Sequence, residues 1–304
     1  MTARISRIAG LFVVATVGAV FTVASPAHAE GPVGLGTATS FAVLAGQTVT
    51  NTGSSVISGD VGLSPGSAVV GFPPAVVNNG ALHVTDAVAA QAQLDLTAAY
   101  DDAAGRTPAV AIGPDLSGLT LTTGVYSAGA MSLTGTLTLD GQGDPNASFV
   151  FQAASSLITG SSSVVSLING ANPCNVFWQV VSSATLGTGS TFVGTVMALT
   201  SIAATTGATI TGRLLARNGE VTLDANVINA PTGCAVFAPP ATTTTTTTTA
   251  AVAPTTTIPA VTTSVVLPRT GSPTKVAGLA ALVMLAMGGA TLLWVRHDPR
   301  RSAR

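Results

Sequence analysis

The chain has 304 residues, of which 8% are charged, 4% aromatic and 47% hydrophobic, with a formal net charge of −1. That balance excludes intrinsic disorder, which needs low hydrophobicity and high charge, and the scarcity of acids, bases and ligands argues against an enzyme. Between Glu30 and Val266 only Arg106, Arg213 and Arg217 stand against 11 acids, a net of −8, so no basic patch exists to neutralise phosphates and nucleic acid is excluded as a partner.

Residues 1–29 read as a secretory signal peptide. Arg4 and Arg7 form a positive n-region, Ile8 to Ala24 a mostly apolar core, and "AHA" ending at Ala29 a small-residue cleavage site. An uncleaved N-terminal anchor is the alternative. A domain over residues 30–240 follows. Val49 and Asn51, then Leu133, Gly135, Leu137 and Leu139, alternate with period two, the strand signal. One segment differs: Val88, Ala92, Leu96, Tyr100 and Ala103 are at helical spacing and predict a helix over about 86–104. Thr85 or Asp86 can cap its start and Gly105 can end it. A single amphipathic helix needs a partner, and the flank of a β-structure is the obvious one.

The chemistry-bearing side chains are few. Asp60, Asp140 and Asp144 lie in turn-rich stretches and are expected to shape turns. Asp101 and Asp102 end the helix on a solvated face. Arg213, Arg217, Glu220 and Asp224 fall close together in repeat register and suggest a structural Arg–acid ladder between coils. His83 has no companions at ligand spacing, so no metal site and no cofactor are expected. Cys174 and Cys234, 60 residues apart, suggest one disulfide in an exported chain, with two free buried thiols as the alternative.

The strongest internal signal is a repeat. "SATLGTGSTFVGTVMALT" (183–200) aligns with "SIAATTGATITGRLLARN" (201–218) and "GEVTLDANVINA" (219–230) at an interval of 18 residues. Thr188 falls over Thr206, Gly189 over Gly207, Thr191 over Thr209 and Gly194 over Gly212. "TGSS" at Thr52 and again at Thr159 echoes the pattern. Eighteen residues suit one β-helix coil of three short strands and three corners, with glycines at the corners.

Beyond the domain, residues 241–266 are a Thr/Pro-rich linker. Residues 267–271 read Leu267-Pro268-Arg269-Thr270-Gly271. This resembles the LPXTG sorting signal of Gram-positive surface proteins. An uncharged span over 276–295 is long enough for a transmembrane helix, and the tail 296–304 is basic, as a cytoplasmic end should be. The resemblance implies cleavage between Thr270 and Gly271 by a sortase-type transpeptidase and transfer to peptidoglycan, with the membrane engaged only through the C-terminal helix before sorting.

Four stretches of the domain, Leu35–Gly66, Leu133–Gln152, Asn172–Ile202 and Gly212–Ile228, together resemble the bacterial and fungal ice-binding protein family. The resemblance implies a mainly β fold, an irregular right-handed triangular β-solenoid with one long α-helix alongside. It also implies that coil order differs from chain order, with early strands closing one end. In that family a flat side carrying Thr-(Ala/Gly)-X-(Thr/Asn) contacts ice. The corresponding residues are Thr188, Ser190, Thr191, Thr206 and Thr209, with Thr52, Ser55 and Thr159 in the variants ending in serine. Asp224, Ala225, Asn226 and Val227 depart from the pattern, so the array is expected to fade there. The expected protein is a monomeric, non-catalytic, cell-surface ice binder whose partner is the ice crystal. A surface adhesin or stalk domain is the rival reading, and a polysaccharide-cleaving β-helix enzyme the remote one.

Overall fold

The computed structural model describes residues 31–235 together with Phe237 and Ala238. The expected signal peptide, linker, sorting motif, membrane span and basic tail lie outside the described residues.

Short runs of β-branched and aromatic residues, broken every few positions by small turn residues, fold into strands that all pair in parallel with the coils above and below. The chain passes three faces per coil. Face A is a seven-stranded sheet, stacked in the order 131–133, 157–159, 184–186, 202–204, 221–224, 48–52, 68–70. Face B carries 120–121, 136–140, 164–168, the first halves of Thr191–Ala198 and Thr209–Ala216, then 227–229, 56–58 and 76–78. Face C carries 110–111, 124–128, 149–153 and 176–180, the second halves of the same two long strands, then 41–45, 60–63 and 82–84. The two eight-residue strands bend from face B to face C at the paired glycines Gly194 and Gly212.

Coil order departs from chain order as expected. Phe41–Ala45 pairs with Thr209–Ala216, so the first strands of the chain continue the spiral where its last coil ends. This placement explains the helix. After strand 82–84 at one end, the chain must reach 110–111 at the other. Nine strands on face C span roughly 38 Å at ~4.8 Å each. Helix α1 (Ala87–Gly105) contributes about 28 Å of that at 1.5 Å per residue, and its extended flanks supply the rest.

α1 lies on face C. Ala92, Leu96, Ala99, Tyr100 and Ala103 pack on Phe41, Leu44, Val150, Phe177, Met197 and Leu215. Four of every five contacting helix residues being Ala or a single Leu lets the backbone approach the sheet closely. The buried stripe starts at Ala89, whereas Val88, expected on it, is exposed. Asp86 is the cap: its carboxylate accepts from Ala89 N at 2.8 Å and from the His83 ring at 2.7 Å. Those hydrogen bonds, the Ala89 N–H first, hold the Asp86 carboxyl below its ordinary 3.8.

Inside the solenoid, inward residues of successive coils stack. Tyr126, Phe151 and Trp178 are register partners on face C, with Phe151 and Trp178 rings 4.0 Å apart and nearly parallel. Phe192 closes the column against Trp178, whose indole N–H donates to Val193 O. The few large aromatics are thus concentrated in one pillar, while Val, Leu, Ile and Ala fill the rest. Prolines 65, 73 and 74 lie in one end coil and 108 and 114 in the other. A residue without an N–H at these edges discourages further strands from adding.

The cysteines form the expected disulfide, Cys174–Cys234, with Cα atoms 5.4 Å apart. It ties the C-terminal segment to the coil that begins at Val176. Next to it the expected Arg–acid ladder does not form. Arg213 is 1% exposed and donates to Thr39 O at 2.8 Å and Pro231 O at 3.3 Å, joining the two ends of the domain through carbonyls. Burial pushes its guanidinium down to about 10. Arg217 instead pairs with Asp101 of α1 at 3.3 Å and lies over the Tyr100 ring. Glu220 accepts from Thr48. The inter-coil spacing sets equivalent positions one strand apart, but the buried Arg213 side chain turns toward the terminal segments and away from Glu220 and Asp224.

Two outcomes follow from these fastenings. Replacing both cysteines with serine is expected to lower unfolding free energy by about 3–4 kcal/mol, since the bridge closes a long loop; a denaturant melt showing less than ~1 kcal/mol contradicts this. Asp86 contributes stability above the ordinary carboxylate pKa and loses it as pH falls through its lowered folded value. The difference in melting temperature between the wild-type protein and Asp86→Asn is therefore expected to shrink below pH 3.8; an undiminished difference in acid rules out the charged cap.

Candidate functional site

A site for an extended ligand needs an open face, and the three faces differ. Face C is covered by α1 along much of its length. Face A is open, but its flanking hydroxyls are spent within the protein. Thr205 Oγ1 donates to Leu186 O at 2.8 Å and contacts the Thr188 hydroxyl at 3.3 Å. Ser201 Oγ accepts from Glu220 N, and Thr48 donates to the Glu220 carboxylate. Glu220 and Asp224 also place charge on that side.

Face B is different. Its strand register places Thr136, Val164, Thr191, Thr209, Val227, Val56 and Val76 in one outward column across seven coils. A second, more sheltered set runs parallel: Thr138 pairs with Ser166, the buried Val193 with Thr211, and Asn229, Ser58 and Asn78 continue from Thr211. No charged residue stands in either set. Asp140 marks one margin. The side chains of Thr136, Thr138, Thr191, Thr209 and Thr211 make no hydrogen bond to any described residue. Each β-branched side chain is held near one χ1 rotamer, and successive residues of the column lie one strand spacing apart, about 4.8 Å.

The four-residue motif straddles the corner between faces A and B, so its positions have unlike fates. The first threonine is exposed at the corner. Thr188 meets the Thr205 hydroxyl, and Thr206 donates to the Asp224 carboxylate. The glycine takes a left-handed backbone, φ 62° at Gly189 and 70° at Gly207, which a β-carbon would oppose. Ser162, Ala225 and Gly53 adopt the same conformation in their own coils. The third position turns inward. Ser190 is 1% exposed, Ala208 and Asn226 are fully buried, and Ser55 sits in the same stack with its hydroxyl accepting from Asn226 N. The last position, Thr191 or Thr209, opens the outward column of face B.

Several expected contact residues are thereby corrected. Ser190 and Ser55 lie inside the solenoid. Thr159 is also buried, on the inward side of face A, where its hydroxyl accepts from Gly187 N at 2.8 Å. Neither serine nor Thr159 can touch a ligand at the surface. The cause is the corner's length and position: the left-handed residue stands two positions before the column at Gly189 and Gly207 but three before it at Gly53, while in the 159–164 corner it is Ser162, so the serine-ending variants fall out of register with the threonine-ending ones. Thr52 stays exposed at the corner, beside Asp224 in register. Thr191 and Thr209 are brought together as partners, as the 18-residue interval implied. What sequence reasoning missed is the continuation. The threonine pattern does end before Asp224, but Val227, Val56 and Val76 carry the β-branched column onward. A search for hydroxyls passes over valine, and the register across the chain ends was the missing signal.

The acids considered for catalysis are engaged in turns. Asp140 Oδ1 accepts from Gln142 N and the Asn169 amide, and Asp144 Oδ1 from Asn146 N. Asp60 Oδ1 accepts from Ala81 N. Among the described residues no group of three or more His, Cys, Asp or Glu side chains converges.

The regularity of face B rests on the bend at Gly194 and Gly212. A β-carbon on Gly212 would collide with the Gly194 carbonyl. Gly212→Ala is expected to cost about 1–3 kcal/mol by overpacking, measured by chemical denaturation; a neutral result would mean that the coils can separate at this bend.

Comparison with known proteins gives one consistent picture. Residues 43–229 match the family described as Ice-binding-like. The ice-binding protein of Nostoc sp. (strain HG1) is 56% identical over 198 residues, 64% of this chain and 73% of that protein. Ice-binding protein 1 of Shewanella frigidimarina is 37% identical over 227 residues, but the match spans only 25% of that longer protein. Among solved structures, an ice binding protein from an Antarctic biological consortium is 50% identical with a TM-score of 0.65, covering 66% of this chain and 91% of that one. The ice-binding protein of the Antarctic ascomycete Antarctomyces psychrotrophicus is 45% identical with a TM-score of 0.63, covering 66% and 98%.

Proposed function

Because the chain belongs to the ice-binding-like family, we propose that it is a non-catalytic ice-binding protein that adsorbs to ice through face B, with Thr191 and Thr209 at the centre of the contact. The observation that carries the choice of face is the absence of charged residues from its two outward columns, on a side that α1 does not cover. On face A the carboxylates of Glu220 and Asp224 stand beside the outward threonines, and Thr48 donates to Glu220. On face B the threonine hydroxyls are unengaged by the described protein and stand beside fixed methyl groups, with Asp140 at the margin and no charged residue in either column.

Ice presents an ordered, uncharged array of oxygens. A surface that binds it must be regular and rigid, and must release its own hydration shell at little cost. Parallel strands supply regularity, and β-branching supplies stiffness, so few rotamers are lost on contact. The absence of carboxylates and ammonium groups removes strongly held water. Thr188, Thr206 and Thr52 at the A–B corner form the margin of this site. Export and attachment complete the proposal. The signal sequence at 1–29 directs secretion, and the disulfide fits an oxidising compartment. The LPRTG motif at 267–271, with its apolar span and basic tail, supports joining of Thr270 to peptidoglycan by a sortase-type transpeptidase. The Thr/Pro linker would then hold the domain away from the wall.

Purified domain is expected to shape growing ice crystals and slow recrystallisation. Thr191→Tyr with Thr209→Tyr should lower that activity by at least tenfold while leaving the thermal melt unchanged. Failure of the wild-type domain to alter ice growth sinks the reading. For attachment, mass spectrometry of wall-released protein should find a C-terminal peptide ending at Thr270 linked to a wall amine; a peptide continuing through Gly271 contradicts it.

A further inference from the structure

Arg213 is a buried cation that the ice contact does not use. It is 1% exposed, yet the ion pairs among the described residues are made by His83, Arg106 and Arg217, and none by Arg213. Its donors end on four neutral acceptors: Thr39 O at 2.8 Å, Pro231 O at 3.3 Å, the Thr195 hydroxyl at 3.5 Å and Cys234 Sγ at 3.9 Å. Taking a guanidinium out of water without a counter-charge is costly. Burial pushes it down to about 10, so it stays charged through the range in which a thiol ionises. Of the four acceptors, only the sulfur can become an anion.

The two sulfurs of the disulfide are therefore unlike. Cys234 Sγ faces the guanidinium, whereas among the described residues no hydrogen-bond donor reaches Cys174 Sγ. Pro231 O stands 3.4 Å from Cys234 Sγ and opposes a negative charge there, but it is itself bound to the Arg213 guanidinium. Val33, Leu35 and Phe177 wall a cavity of about 10 Å³ that borders both cysteines and Arg213. Little water intervenes, so a charge on the sulfur and the charge on the guanidinium would be weakly screened from each other. Both cysteines are only partly buried, and a partner's sulfur can approach the bridge from outside.

We propose that Cys174–Cys234 is a polarised disulfide that exchanges with an external thiol through Cys174, with Cys234 as the sulfur that leaves and returns as a thiolate beside Arg213. An incoming thiolate attacks Cys174 Sγ. Its sulfur bonds to Cys174, the Cys174–Cys234 bond breaks, and the electron pair goes to Cys234 Sγ, where the guanidinium meets it. A thiol of lower pKa is the better leaving group. Closure of the bridge is the same step reversed: the partner holds Cys174 in a mixed disulfide, and the Cys234 thiolate attacks Cys174 Sγ and expels the partner's thiolate. The partner is defined by that chemistry, an accessible thiolate for opening and an accessible disulfide for closing. Arg213 is a positioning residue, acting through Cys234. None of this depends on the assignment of face B to ice.

The chain has two cysteines, so each can be followed alone. In the full-length protein, Cys174→Ser leaves Cys234 and Cys234→Ser leaves Cys174, and the rate of iodoacetamide alkylation against pH gives the pKa of each thiol. Cys234 should titrate at least one pH unit below the ordinary ~8.5, a tenfold gain in ionisation, and Cys174 at or above it. Arg213→Gln in the Cys174→Ser background should return Cys234 toward the ordinary value, and Arg213→Lys should keep at least half of the lowering. Thermal melts verify that each variant is folded. Wild-type protein supplies a test that needs no Arg213 variant. Treated briefly with reduced glutathione, quenched in acid and mapped by peptide mass spectrometry, it should carry glutathione on Cys174 at least fivefold more often than on Cys234. Glutathione shared equally or favouring Cys234, or a folded-state Cys234 thiol titrating at or above ~8.5, would overturn the polarised bridge. A lowered Cys234 pKa that persists in folded Arg213→Gln would overturn the part given to Arg213.

Discussion

Parallel pairing of one coil on the next, at a single strand spacing, is the constraint on which everything else depends. Strand backbone groups of the inner coils bond to the coils above and below, so a residue's neighbours are fixed by register rather than by chain proximity. That is how Thr191 comes to lie against Thr209 and Phe151 against Trp178. It is also how a chain with little aromatic content builds a core: it aligns its few rings in one pillar. The same register places side chains outside with a regularity that no loop could hold.

Stacking creates two problems, and the fold answers both. A solenoid has ends, where unpaired strand edges invite more strands. Here the end coils carry prolines, and the first residues of the chain are used to complete the spiral at one end. Using them there obliges the chain to travel back, and α1 is the return. Its presence on face C removes that face from contact with any large ligand. The second problem is that the first and last segments of the described domain meet along one seam. Arg213 binds carbonyls of Thr39 and Pro231 at this seam, and the disulfide secures the same C-terminal segment. One face is thus spent on the helix, a corner on joining the ends, and face B is left uncovered, with Asp140 at its margin.

Much of this was legible in the sequence, for reasons that can be named. The helix is readable because its spacing of alanines and Leu96 is periodic, and the 18-residue interval because two consecutive coils have equal length. Earlier coils are longer: Ile158 pairs with Thr185, 27 residues on. The extra length lies in the loops around Gly141–Ser148 and Asn169–Asn175, which hide the repeat. The site was only half legible. Thr191 and Thr209 were found because their motif is chemical, and a hydroxyl is easy to recognise. Ser190 was misplaced because the left-handed Gly189 turns the next residue inward, and Ser55 and Thr159 because their corners place the left-handed residue, Gly53 or Ser162, at a different distance from the motif. Val227 and Val56 were missed because valine looks like core. Its outward placement depends on pairing between residues 170 positions apart or more, which no local pattern encodes.

The central claim is that face B, and not face A, meets ice. The direct measurement compares two folded variants that place the same bulky ring on the two open faces, Thr209→Tyr and Thr222→Tyr, by recrystallisation inhibition at matched concentration. The account predicts at least a tenfold loss for Thr209→Tyr and activity within twofold of wild type for Thr222→Tyr. Equal losses, or a loss confined to Thr222→Tyr, would contradict it.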